Sequence, residues 1–134
     1  MRTTFDITDI LYEAIKAHGF AISGGVYKFV RPVNSNKVDI VVGSLPVNGE
    51  QIQTAVANIN IFAPNLQLVI NGVQDNSQPD WNTLKNATEL VVEFLKEKIG
   101  NDYWFKFQQQ NFFADPEAKS YYSNIRVKFY SENF

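Results

Sequence analysis

From Gln51 to Pro64 the chain reads QIQTAVANINIFAP, and its residues change character at every step. One parity carries Ala55, Ala57, Ile59, Ile61 and Ala63; the other carries Ile52, Thr54, Val56, Asn58, Asn60 and Phe62. Side chains of an extended backbone point alternately to opposite faces, so the pattern predicts a long strand with one apolar face. Its other face mixes apolar ends with an asparagine pair at its centre. Strand patterns on both sides of this segment predict that it is central in a sheet.

The segment from Asp6 to His18 has a different period. Ile7, Ile10, Leu11, Ala14 and Ile15 recur at the spacing of one helix face. Asp6 suits the N-cap, with Thr8 as the alternative, and Gly19 suits the left-handed position that closes many helices. A turn at Ser23-Gly24-Gly25 precedes a strand at Val26 to Val30 that stops at Arg31-Pro32. Asn34-Ser35-Asn36 is turn chemistry. Lys37 to Ser44 then predicts a second strand, hairpin-paired with the first, with Val38, Ile40 and Val42 on one face. Asn48-Gly49 marks the turn into the long strand.

Leu66, Leu68 and Ile70 alternate before Asn71-Gly72 and Val73, which fits either an extra hairpin or an extended arm across 65–79. Trp81 to Ile99 predicts a second helix capped by Asp80 and closed by Gly100, with Leu84, Ala87, Val91, Phe94 and Leu95 on its apolar face. Two strands follow. In one, Tyr103, Phe105 and Phe107 form an aromatic inner face; in the other, Tyr121 to Tyr130, Ile125, Val127 and Phe129 point inward. Ser131 to Phe134 reads as a frayed end. The order α-β-β-β-(hairpin arm)-α-β-β predicts a single α+β domain: an antiparallel sheet of about five strands with both helices on one face.

Composition narrows the class. At 134 residues, 45% hydrophobic and 19% charged, the chain is globular and large enough to bury a core without disulfides. It has no cysteine, which excludes disulfides, thiol catalysis and cysteine-ligated metal. A net charge of −2 with no Lys/Arg cluster argues against a nucleic-acid partner. MRTTFDITDI lacks the apolar run of a signal peptide, and no stretch reaches the roughly 18–20 apolar residues of a membrane span.

Candidate chemistry is sparse. His18, the single histidine, falls where a helix C-terminus exposes carbonyls, so a capping or surface role outweighs catalysis. Asp6, Asp9 and Glu13 match the helix dipole, and Asp75, Asp80, Asp115 and Glu117 occupy turns. Ser23-Gly24-Gly25 follows a helix and precedes a strand, the reverse of a phosphate-binding loop, and reads as a flexible link. Tyr27, Trp104 and Tyr130 lie beside Lys28, Lys106 and Lys128, a pattern able to stack on single-stranded nucleic acid, but core aromatics and solvated lysines account for it as well. The candidate interface residues are Asn58 and Asn60 on the long strand and Leu66, Leu68, Ile70 and Val73 on the arm. An alternating apolar hairpin outside the main sheet either folds back or docks on a neighbour.

The run DIVVGSLPVNGEQIQTAVANINIFAPNL resembles small head–tail joining and tail-completion proteins of tailed phages and prophages. In that group a D-I-V-V-x-x-L-P segment and a polar turn precede a long strand of the form V-N-I-x-x-P-N. Asp39, Ile40, Val41, Val42, Leu45 and Pro46 match the first part, and Asn58 to Asn65 fall in the second. The segment from Leu66 to Pro79 matches no part of the pattern. The resemblance implies a non-enzymatic subunit without cofactors, present in the bacterial cytoplasm during assembly and in the virion afterwards. Its partners would be copies of itself, as in the hexameric rings of tail terminators, and other tail or neck proteins. The competing expectation is a small bacterial ligand- or protein-binding module with a cleft between helix and sheet; an enzyme ranks third.

Overall fold

A computed structural model describes residues 2–45, 52–96 and 103–132. The expected turn at Asn48-Gly49, the last residues of the second helix with Gly100, and the final residues Asn133 and Phe134 lie outside these. Helix α1 spans Thr4–His18 and ends at Gly19, whose φ of 72° is the left-handed geometry expected of it. Its N-cap is Thr3, not Asp6 or Thr8. The Thr3 hydroxyl accepts from the Asp6 amide at 3.3 Å, and the Asp6 carboxylate accepts from the Thr3 amide at 2.8 Å. This reciprocal box satisfies two free donors at once, which a cap at Asp6 would leave open. These bonds also hold the Asp6 carboxyl below its ordinary pKa.

The strands are β1 (Val26–Lys28), β2 (Asp39–Ser44), β3 (Ile52–Pro64), β4 (Leu68–Ile70), β5 (Val73–Asp75), β6 (Tyr103–Asp115) and β7 (Ser120–Glu132), with helix α2 (Trp81–Lys96) between β5 and β6. The main sheet has the order β1-β2-β3-β7-β6, so the long strand β3 is central, as its alternation implies. Every pairing is antiparallel except β1 with β2, which is parallel, and the sheet is therefore mixed.

The expected hairpin between the first two strands does not form, and its absence has a local cause. Phe29 has φ 66° and Asn34 φ 60°, and the Ser35 amide donates to the Pro32 carbonyl at 3.3 Å. The chain thus leaves β1, turns over itself through residues 29–38, and re-enters beside β1 in the same direction. Ser35 and the guanidinium of Arg31 fold the loop back by hydrogen bonding to Asp39, the first residue of β2. The glycine turn is also fixed, contrary to a flexible link. The Gly24 amide donates to the Val38 carbonyl at 2.9 Å and the Gly25 amide to the Asp39 carboxylate at 3.1 Å. A Cβ on Gly24 would collide with both acceptor groups.

One parity of the sheet builds the core. Ile40 faces Ile61, Val42 faces Ile59, Ala57 faces Val127, Ile59 faces Ile125, and Ala55 and Phe105 flank Phe129. Against them pack Ile7, Leu11 and Ile15 of α1 and Val91, Phe94 and Leu95 of α2. Helix α1 lies over β1 and β2, and α2 over β3, β7 and β6. Small Ala55, Ala57 and Ala63 on β3 let the helices approach the sheet centre, while branched neighbours fill the space between. Asp80 begins α2 as expected, with the Leu84 amide donating to its carbonyl at 3.1 Å and the Thr83 hydroxyl to its carboxylate at 2.8 Å.

Two expectations at the far end of the sheet fail. Phe107 keeps the inner parity opposite Val127 but is 40% exposed on the edge strand instead of completing a buried inner face, and a bulge between Phe107 and Gln109 moves the residues after it to the other parity. Ser131 is buried within β7 and pairs with Gln53 and Tyr103, so the chain is still ordered strand where a frayed end was expected.

Candidate functional site

Two surfaces remain outside this core. The first is the arm formed by β4 and β5, a separate two-stranded sheet. Asn71 (φ 51°) and Gly72 (φ 77°) give consecutive left-handed residues, the geometry of a two-residue hairpin turn matched to strand twist. Its root is tied to the body by one hydrogen bond and closed on itself by two. The Asn65 amide donates to the Lys119 carbonyl, the Leu66 amide to the Gln78 carbonyl, both at 2.9 Å, and the Asn65 side chain to the Asn76 carbonyl at 2.8 Å. Asp75 accepts from the Ser77 amide and hydroxyl, which holds its carboxyl below the ordinary value.

Beyond the root, Ile70 pairs with Val73 and Leu68 with Asp75, which places Leu68, Ile70 and Val73 on one face. Ile70 is 48% exposed, Val73 67% and Val69, on the other face, 73%. The arm candidates thus separate: Leu66 lies at the root, Leu68 is half-buried, and Ile70 and Val73 form an apolar tip facing solvent. A two-stranded hairpin is marginal in water on its own, and Val69, Ile70 and Val73 stay exposed among the described residues.

The second surface is the face of the main sheet opposite the helices. Asn58 and Asn60 lie there and are brought together by a residue that the sequence did not single out. The Asn124 side-chain amide donates to the Asn60 carbonyl oxygen at 2.6 Å and to that of Asn58 at 3.3 Å. Asn58 and Asn60 are therefore half-buried members of an amide ladder and not free hydrogen-bonding groups. Along β7 this face presents successive rows. Tyr130 stacks on Trp104 at 5.2 Å with 9° between the rings; Lys128 faces Lys106; Arg126 faces Asn58 and Gln109; Asn124 faces Asn60 and Asn111; Tyr122 packs between Phe62 and Phe113. Arg126 Nε is shut off from solvent and has no hydrogen-bond partner among the described residues.

At one corner of that face lies a buried ion pair that sequence reading also missed. Arg31 Nε donates to the Asp39 carboxylate at 2.8 Å, with the two side chains 8% and 1% exposed. The same guanidinium donates to the Ser120 hydroxyl at 3.0 Å and the Lys37 carbonyl at 2.7 Å, and its centre lies 4.9 Å from the Phe62 ring. Burial pushes the Asp39 carboxyl upward, but hydrogen bonds from Arg31, Ser35 and Gly25 outweigh it and hold the group below its ordinary value. The available signal was an acid opening an apolar run, D-I-V-V, which needs a cation once that run is a buried strand.

His18 lies at the end of α1, exposed, with its ring 4.3 Å from Phe20 and 4.7 Å from Phe94. It joins the ends of the two helices. Asp9 pairs with Lys28 at 2.6 Å across the solvent edge of α1 and β1. Between α2 and the far end of the sheet is a cleft of about 290 Å³ lined by Trp81, Leu84, Thr88, Gln110, Phe112 and Ser123. Thr88 and Gln110 both donate to the Ser123 hydroxyl, at 2.7 and 3.0 Å. Among the described residues, no group of three or more His, Cys, Asp or Glu is arranged to hold a metal ion, and no helix is long and apolar enough to cross a membrane. Searches against models of known protein families and against curated protein sequences give no match.

Proposed function

We propose that this protein is a non-enzymatic assembly component, of the head–tail joining or tail-completion kind found in tailed phages and prophages, acting by self-association and docking on partner proteins. The observation that carries the reading is the arm with the apolar tip Ile70–Val73. Its root is held by three hydrogen bonds while its tip presents hydrophobic side chains to solvent. Burying such side chains on a neighbour is favourable by about 25 cal/mol per Å² of apolar surface, before association and ordering costs. The motif resemblance of Asp39 to Asn65 supplies the phage context, and β3, which carries its second part, is the sheet's central strand.

An arm on one site meeting a different site on the next copy is a heterologous contact, which closes into a ring when its rotation permits. Negative-stain electron microscopy of the purified protein tests the proposal, with rings or discrete oligomers as the expected result. Capsid, portal or tail genes beside its gene are expected too, and their absence contradicts the phage context. The cleft between α2 and the sheet favours one second reading, a small-ligand or peptide-binding module. Its apolar walls and the Thr88–Ser123–Gln110 hydroxyl and amide cluster suit a ligand with one polar end.

A further inference from the structure

We propose that the open face of the main sheet binds single-stranded nucleic acid along β7 and β6. The starting point is an electrostatic anomaly. Lys106 and Lys128 are direct cross-strand partners, and like charges so placed destabilise a sheet. Neither has an ion-pair or hydrogen-bond partner among the described residues. The next row adds Arg126, whose Nε is shut off from water and unpartnered. Three cations thus collect on one face of a protein whose net charge is −2. The same parity also carries Glu132, two rows beyond Lys128, and Asp115, opposite Ser120 at the far end, so the cation rows lie between the acids of this face; Asp39 is paired with Arg31.

Flanking rows say what kind of anion fits. The stacked Trp104–Tyr130 pair lies on one side of the cations, and Tyr122 with Phe62 and Phe113 on the other. Same-face rows on a strand are about 6.8 Å apart, so the aromatic rows at Tyr130 and Tyr122 are separated by roughly 27 Å. A ligand with regularly spaced negative charges and flat rings between them matches that order, which is the chemistry of an extended nucleotide strand. A duplex hides its ring faces. A second copy docking face to face would bring the cations of both copies together in a closed interface. The sequence argued against nucleic acid from net charge, yet net charge averages over faces, and the sheet sorts these three cations onto one of them.

The test is fluorescence anisotropy of a fluorescein-labelled oligothymidylate of about 12 nucleotides, titrated with the intact protein. Three phosphate contacts on a single strand give a log–log salt slope of about −2, or a loss of roughly 20-fold in affinity between roughly 50 and 200 mM salt. Lys106→Gln with Lys128→Gln leaves one cation and is expected to flatten the slope to about −0.7, a loss of roughly threefold over the same range. Relief of the like-charge row should leave that variant melting at the same temperature as the parent or higher. Trp104→Leu is expected to weaken binding by roughly tenfold at fixed salt. In a Trp81→Phe background, the remaining tryptophan emission should be quenched on binding. No anisotropy change up to roughly 100 μM protein at low salt overturns the proposal. An unchanged slope in the double glutamine variant overturns it as well. Lysine-dependent binding to polyglutamate without binding to oligothymidylate also overturns it, and assigns the face to an acidic polypeptide. The arm is untouched by these variants, so oligomer formation is read separately.

Discussion

Replacing Arg31 with Met keeps an unbranched side chain of similar length while removing the charge opposite Asp39. The pair is almost wholly buried, and Asp39 would keep only Ser35 and the Gly25 amide. Removing one partner of a buried ion pair typically costs about 3–5 kcal/mol, because an uncompensated charge is left behind. That is a large share of the roughly 5–15 kcal/mol by which domains are stable. For 134 residues, at an unfolding entropy of about 2.1 cal/mol/K per residue, each kcal/mol is worth roughly 4 °C, so a melting point lower by about 11–18 °C is expected. The loss should depend on pH. In the parent the Asp39 carboxyl is depressed, so its stabilisation is fully present above the unfolded value of about 3.9 and fades as pH falls below it. In the variant burial dominates and raises the carboxyl, so the folded state takes up a proton more readily as pH falls. The difference between parent and variant should therefore be widest near neutrality and narrow toward pH 4. Urea unfolding followed by circular dichroism at a series of pH values measures it. Adding Asp39→Asn to the variant should recover part of the loss. A penalty under about 1 kcal/mol, or one constant with pH, refutes the assignment of this pair as an uncompensated-charge problem.

Other expectations follow from the same structure. Ile59→Ala, at the fully buried centre of β3, should cost about 2–5 kcal/mol in chemical denaturation with the unfolding cooperativity retained. Gly24→Ala places a methyl against the Asp39 carboxylate and the Val38 carbonyl, so it should lower the melting point. Gly72→Val, at φ 77° in the arm turn, should loosen the hairpin and weaken self-association while leaving the global melting point within a few degrees.

Much of the fold was legible because two periodicities were clean. β3 alternates without interruption, and both helices carry one apolar stripe with a recognisable start. The parallel β1–β2 pairing was not legible, since strand direction depends on how residues 29–38 return, and that path is fixed by a positive φ at Phe29 and by Arg31 reaching Asp39. Nor could alternation foresee the bulge after Phe107, which moves every later residue of β6 to the other face. Of the candidate interface residues, Ile70 and Val73 are exposed at the arm tip as their pattern allows. Asn58 and Asn60 instead satisfy one another through Asn124, a partner more than sixty residues away. Long-range amide pairing and the Lys106–Lys128 row are products of register, which composition does not encode.

Sedimentation velocity across a wide range of protein concentration addresses the proposed self-association most directly. The parent is expected to shift to a discrete larger species as concentration rises, and Ile70→Asp with Val73→Asp to stay monomeric with an unchanged circular dichroism spectrum. A parent that stays monomeric throughout, or an Asp variant that associates as the parent does, contradicts it.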